Sequence, residues 1–254
     1  MDPAAGQGAV SVSPAYLVLL VVLVAVAAAV AAAGRIGVSR GVATAALRAV
    51  LQLGMVSLLI AAVLRSWWAT GAFLALMLVV ASATSARRVA SRSHRWSVAA
   101  PIAAGALPVA LAVVAAGTMP LATVSVLPVA GILVGGAMTA TSLAGRRAVD
   151  ELRARHGEYE AALALGLADR DAVLELCRPG AAQALVPALD QTRTVGLVTL
   201  PGAFVGVLLG GGSPVQAGAT QLLVLVALLA AETIAVAVTL ELVARGVLRP
   251  VPVR

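Results

Sequence analysis

The sequence predicts an all-α, polytopic integral membrane protein of about seven transmembrane helices, and three observations carry that reading. Of 254 residues, 61% are hydrophobic and only 11% charged, too few charges to present a polar surface to water on every side. The apolar residues fall into runs of about 20, the length that crosses ~30 Å of hydrocarbon at about 1.5 Å per residue. The arginines gather in alternate connecting segments, which is the pattern of membrane topology. In a water-soluble chain a net charge of +7 would point to nucleic acid. Here topology and attraction to anionic lipid headgroups account for it, so the expected partner is a lipid bilayer and not nucleic acid.

The elements follow in order. Met1 to Ser13 carries Asp2 and no arginine, unlike the basic start of a secretory signal, so Pro14–Ala33 reads as a retained first span. A loop with Arg35 and Arg40 leads into span two, Gly41 to Leu64, where Arg48 and Gln52 lie one helical turn apart on one face. Arg65 and the Trp67-Trp68 pair mark a membrane boundary, and span three continues to Ala83. Arg87, Arg88, Arg92 and Arg95 make the next loop too charged to enter lipid. Span four, Val98 to Ala116, contains Pro101 and Pro108, tolerable where neighbouring helices satisfy the freed carbonyls. After a turn at Gly117 to Pro120, span five runs from Leu121 to Ala144 with Gly131, Gly135 and Gly136, small residues that let backbones approach closely. A polar stretch follows, then span six from Ala184 to Leu209, a turn from Gly210 to Pro214, and span seven from Gln216 to Ala244. The whole of 1–254 reads as a single transmembrane domain with a water-exposed coupling segment at 145–183.

An odd number of spans puts the two termini on opposite sides. With the N-terminus outside and the C-terminus cytoplasmic, the inner segments collect all the loop arginines except Arg65, including Arg146 to Arg178, Arg245, Arg249 and Arg254. The expected location is therefore the cell inner (plasma) membrane, as a multi-pass protein.

Composition also excludes chemistries. The chain has no lysine, so it cannot build a P-loop, whose lysine sits on the nucleotide phosphates. Its single cysteine, Cys177, excludes an internal disulfide and a cysteine-cluster metal site. His94 and His156 have no Cys or carboxylate at ligand spacing, and no Ser-His-Asp or Cys-His arrangement is legible. No catalytic residue, metal site or cofactor is expected on this chain.

The polar stretch has its own pattern. Arg146 with Asp150, Arg147 with Glu151, and Glu151 with Arg155 are i,i+4 pairs that extend span five as a solvated helix, with Gly157 expected to break it. Glu158 to Leu165 then forms a short helix ended by Gly166, and Asp169 is placed to cap a further helix that should stop before Pro179.

Glu160-Ala161-Ala162-Leu163-Ala164-Leu165-Gly166, with Leu176 and Pro179 downstream, resembles the EAA loop of ABC-transporter membrane subunits. Arg178 stands where that pattern usually has leucine. In such proteins the short helix docks into a groove on a separate ATPase. The chemistry fits, because alanines permit close approach, Leu165 can enter an apolar pocket, and glycines allow sharp entry and exit. Glu158, Glu160, Ala161, Ala162, Leu165 and Gly166 are the candidate ATPase-coupling residues.

Further motifs narrow the resemblance. Arg48-x-x-x-Gln52-Leu53, Pro128-x-x-Gly131-x-x-x-Gly135 through Ser142-Leu143, Val195-Gly196-Leu197-Val198 with Leu200-Pro201-Gly202 and Gly206, and Pro214 with Gln221 together resemble the FetB-like family. It comprises bacterial iron-export permeases and the membrane subunits of plant aluminium-tolerance ABC transporters. The resemblance implies a half-transporter: a homodimer of this chain with two ABC ATPase subunits that carry the ATP and Mg, exporting an iron-like metal ion or small solute. It also marks Gly131, Gly135, Gly196, Pro201, Gly202 and Gly206 as helix-packing residues. Ala203, Phe204 and Val207 stand where the iron exporters have two methionines and a glutamine, and Gly136 and Thr139 replace small polar residues. Those soft or amide ligands are missing here.

Ionisable and amide groups inside spans are costly and usually face a cavity or a partner. Arg48, Gln52, Asp190, Arg193 and Glu232 are therefore candidates for the translocation pathway, with Glu232 the deepest. Snorkelling or structural pairing accounts equally well for Arg48, Asp190, Arg193 and Glu241. The alternative function is a self-contained secondary transporter or channel in which Glu232 carries a coupling proton.

Overall fold

The computed structural model describes residues 12–89 and 96–248, and the expectations for Asp2, Arg92, His94, Arg95, Arg249 and Arg254 fall outside them. Among the described residues the regular structure is ten α-helices and one short 3-10 turn, with a lone bridge between Val195 and Thr199. The chain divides into two compact units, Met1–Arg65 and Ser66–Arg254.

The first unit is a helical hairpin of α1 (Pro14–Ala33) and α2 (Ser39–Val63). Ser13 starts α1 by accepting the Tyr16 amide on its hydroxyl at 3.3 Å. The reversal between the helices uses the left-handed backbone of Arg35 and Gly37.

The second unit is built around two long helices, α5 (Thr123–Ala154) and α10 (Pro214–Ala244), with α3 (Trp67–Val89) and α4 (Ala99–Ala115) packed on them. Leu133, Ala137, Leu225, Ala231, Ala235 and Ile102 form its interior. Absent side chains bring the helices together. A Cβ on Gly105 of α4 would run into the Ala231 carbonyl of α10, and one on Gly145 of α5 would run into Val89 of α3. Ser85 and Ser142 share a buried hydrogen bond of 2.7 Å between α3 and α5. A capping box opens α10: the Ser213 hydroxyl accepts the Gln216 amide at 3.2 Å and the Ser213 amide donates to the Gln216 side chain at 2.9 Å.

Beyond the bilayer-length part of α5 come α6 (His156–Ala164), α7 (Asp169–Ala182), a 3-10 turn (Gln183–Leu185), α8 (Val186–Thr194) and α9 (Gly202–Leu209). Several boundaries differ from expectation. The break after α5 falls at Arg155, held by Glu151 and Glu158, and Gly157 lies within α6. Of the pairs expected along the end of α5, only Glu151 with Arg155 forms among the described residues. Asp169 is the first residue of α7 and not its cap, which is Ala168. Pro179 lies inside α7, because Val173, Leu174, Leu176, Cys177, Gly180 and Ala181 are all buried and that packing outweighs the ~3 kcal/mol a mid-helix proline costs.

Among the described residues, five helices are long and apolar enough to cross a membrane: α1, α2, α3, α5 and α10. α4 is apolar but shorter, at 17 residues. The stretch expected as a continuous sixth span is instead interrupted. Gly196 has φ +83°, and Pro201 biases Leu200 away from helix and caps α9 in an extended conformation. Residues 195–201 are non-helical between α8 and α9.

Candidate functional site

α6 buries none of its residues. Its C-terminus closes in a Schellman motif, with the Gly166 amide donating to the Leu163 carbonyl at 3.0 Å and the Leu167 amide to the Ala162 carbonyl at 3.1 Å. Gly166 adopts φ +91°, where a side chain would be strained. That turn leaves Leu165 at the tip, 83% exposed, with Leu163 and Leu167 partly exposed beside it. Ala161 is exposed and Ala162 half-buried, so the helix offers a small-residue face ending in one leucine.

Ion pairs fix this helix to its neighbours. Arg155 donates to both carboxylate oxygens of Glu158, with Nε at 2.9 Å, and to Glu151 at 3.1 Å. The Arg155 hydrogen bond holds the Glu158 carboxyl below the ordinary carboxylate range, and the two carboxylates raise Arg155 above the usual guanidinium value. His156 lies 3.4 Å from Glu160 and stacks on Tyr159. Tyr159 in turn donates its hydroxyl to Asp169 at the start of α7.

The next residue carries the linkage further. Arg170 forms a bidentate pair with Glu241 of α10, at 2.9 and 2.8 Å, and Arg245 donates to the same carboxylate. Arg170 is raised above its ordinary value, chiefly by the hydrogen bond to Glu241. Asp169 and Arg170 thus tie α6 to α10 through adjacent positions. Sequence spacing could not reveal a pair 71 residues apart, and Glu241 belongs with structural pairing.

Asp190 and Arg193 pair with each other at 3.7 Å on the surface of α8. Arg48 and Gln52 are exposed on α2, in the first unit. Glu232 is 8% exposed on α10 and makes no hydrogen bond or ion pair among the described residues. Its Oε1 lies 2.8 Å from the point a Cβ on Gly136 of α5 would occupy, so that glycine leaves room for the carboxylate.

The expected packing glycines also separate. Gly131 faces Met77 of α3, whereas an added Cβ on Gly135, Gly196, Gly202 or Gly206 would meet nothing within 4 Å. Buried Gln221 gains a role that spacing did not reveal: its Oε1 accepts the Phe204 amide at 3.3 Å and anchors the start of α9 on α10. Among the described residues no group of three or more His, Cys, Asp or Glu could hold a metal ion.

Comparison with known proteins gives the frame. Residues 14–248 match the family described as "Uncharacterised protein family (UPF0014)". "UPF0014 membrane protein STAR2" of Oryza sativa subsp. japonica is 33% identical over 203 residues, covering 79% of this chain and 71% of that protein. "Protein ALUMINUM SENSITIVE 3" of Arabidopsis thaliana is 39% identical over 108 residues, 42% of this chain and 40% of that protein. "Probable iron export permease protein FetB" of Escherichia coli (strain K12) is 33% identical over 122 residues, 46% of each. No solved structure matches. A match running from the first helix to the end of the described residues, with a curated relative aligned over most of both chains, means that this chain belongs to the UPF0014 family of membrane proteins, among whose relatives is the FetB permease its motifs resemble.

Proposed function

We propose that the protein is the membrane-spanning permease subunit of an ABC transporter, driven by a separate ATPase chain that docks on α6. One observation carries this reading: α6 buries none of its residues and ends in an outward leucine, yet it is tied through Asp169 and Arg170 to α10. A helix without a partner gains nothing from such fastening, whereas a docking lever needs it. The bilayer is crossed by α1, α2, α3, α4, α5, the interrupted stretch and α10, with the N-terminus outside and α6 and the C-terminus in the cytoplasm. Two copies of the chain work with two ATPases, which hold the ATP and Mg; this chain performs no hydrolysis. The relative named as an iron export permease supports export of a metal ion or small solute across the inner membrane.

Co-expression with a candidate ATPase bearing Gly-x-x-x-x-Gly-Lys-Ser/Thr tests the docking. Burying one leucine is worth about 1.5–3 kcal/mol, so Leu165→Asp is expected to weaken ATPase capture by roughly ten-fold or more and to abolish ATP-driven transport in vesicles. Capture and transport at the unsubstituted level in Leu165→Asp would remove α6 from the interface. Transport by vesicles that hold this chain and no ATPase would instead support the self-contained carrier in which Glu232 moves a proton.

A further inference from the structure

The arginines of this chain divide into two groups. Arg155, Arg170, Arg178, Arg193 and Arg245 each have a carboxylate within 4.0 Å. Arg88 at the end of α3 and Arg146 on α5 have none among the described residues. The distribution of acids explains the split. Between Pro3 and Val149 the sequence contains no aspartate or glutamate, and both helices of the first unit fall inside that range. From Asp150 onward, every carboxylate except Asp150 and Glu232 has a partner of its own. Glu232 is buried, and Asp150 makes no pair with Arg146 although it lies one turn away on the same helix. This chain therefore supplies no counter-charge to Arg88 or Arg146.

Packing sets those two arginines side by side. Gly131 with Met77, Ser142 with Ser85 and Gly145 with Val89 advance together along α5 and α3, so the two helices run parallel. Val89 and Gly145 face each other across the seam. Arg88 precedes Val89 by one residue and Arg146 follows Gly145 by one, rotations of about 100° in opposite senses. On parallel helices, opposite rotations away from the facing positions lead to the same side of the seam. Both residues are exposed. The Arg146 Nε donates to the Ser142 carbonyl at 3.3 Å, which holds the guanidinium back at the level of the Ser85–Ser142 pair. Its two terminal nitrogens have no partner among the described residues.

Their depth points to what neutralises them. From Trp67 to Arg88 is about 31 Å along α3. The hydrocarbon core is ~30 Å thick and tryptophan gathers at its boundary, so Arg88 reaches the headgroups of the opposite leaflet. Arg155, the first of the paired group, lies about 14 Å further along α5 than Arg146, beyond that level. Each guanidinium presents a planar fork of donors that matches a phosphate. We infer that Arg88 and Arg146 together seat the phosphate of an anionic phospholipid headgroup, in the leaflet on the side of α6. The site rests on the packing of α3 against α5 and on membrane location, and is independent of the transport reading above.

Diffuse attraction of basic residues to a leaflet would act equally on Arg153, which is also exposed and lies about 10 Å beyond Arg146 on α5. That difference gives the test. The full-length protein in non-ionic detergent is offered phosphatidylglycerol or phosphatidylcholine, and retained lipid is counted by native mass spectrometry. Phosphatidylcholine carries its phosphate beside a cation, so phosphatidylglycerol is expected to be retained about ten-fold more. Equal retention of the two lipids by the unsubstituted protein would overturn the inference without any variant having to fold. Arg88→Gln and Arg146→Gln are each expected to cut phosphatidylglycerol retention about five-fold, while Arg153→Gln, the same change of charge, leaves it unaltered. Equal losses in all three would reduce the effect to net charge and overturn the site. Retention that survives an excess of inorganic phosphate supports a lipid, whereas displacement by it would assign the site to a soluble phosphate and overturn the lipid assignment. Loss of ATPase capture in Arg88→Gln with lipid retention unchanged would overturn it in favour of a protein partner.

Discussion

Glu232 is a costly residue for a helix core, and nothing in its surroundings offsets that cost. A buried carboxylate is normally paired or hydrogen-bonded, and this one has neither partner among the described residues. Replacing it by the similarly shaped amide removes the charge and keeps the volume next to Gly136. If Glu232 served packing alone, Glu232→Gln would leave both stability and transport unaltered. We expect instead a melting temperature in detergent that is unchanged or higher, with transport reduced by about ten-fold or more, the pattern of a residue retained for function against stability. Normal transport with normal expression would take Glu232 out of the pathway. Its position was legible in the sequence, since one acid in a long apolar run stands out. The room left by Gly136 was not, because which glycine faces which side chain depends on helix rotation.

At the scale of elements, the fastening of α6 to α10 is the feature with mechanical content. Glu158 and Arg155 fix one end of α6, the Tyr159 hydroxyl on Asp169 fixes its side, and Arg170 carries the connection to Glu241. Each exposed ion pair contributes little to stability, because water screens it. A bidentate arginine–carboxylate pair still sets geometry. Glu241→Gln should therefore leave folding and ATPase capture near normal while lowering transport per ATP hydrolysed. The ratio of the two rates, measured on the same vesicles, checks it; an unaltered ratio would leave the Arg170–Glu241 pair no part in coupling. The sequence disclosed α6 well, because its alanines, Gly166 and flanking charges are local signals. It misjudged the ends of α5 and α7, where tertiary contacts decide: Arg155 bends the chain through its two carboxylates, and the buried face of α7 carries the helix through Pro179.

At the scale of the whole chain, the interrupted stretch decides on which side the C-terminus lies. The hydropathy of 195–209 marked the stretch as apolar, but the polar run Asp190-Gln191-Thr192-Arg193 and the Gly196 and Pro201 interruptions kept it from forming one helix. The second unit still constrains its course. Arg170 follows the end of α5 and grips Glu241, so that end of α10 lies beside α7; Gln221, which anchors α9, is about 30 Å away along α10. Residues 186–213 must cover that length before α10 returns, which supports the proposed crossing without a continuous helix. A turn back without crossing would also put Arg245 on the side opposite Arg146 and Arg147, against the charge bias of membrane insertion. Tags at the two termini are therefore expected to lie on opposite faces, the N-terminal one open to an impermeant protease from outside and the C-terminal one only after permeabilisation. Both tags digested from the same face would mean that the stretch re-enters instead of crossing. Because α6 precedes this stretch in the chain, that outcome would move the C-terminus and leave α6 on the face where we propose that an ATPase docks.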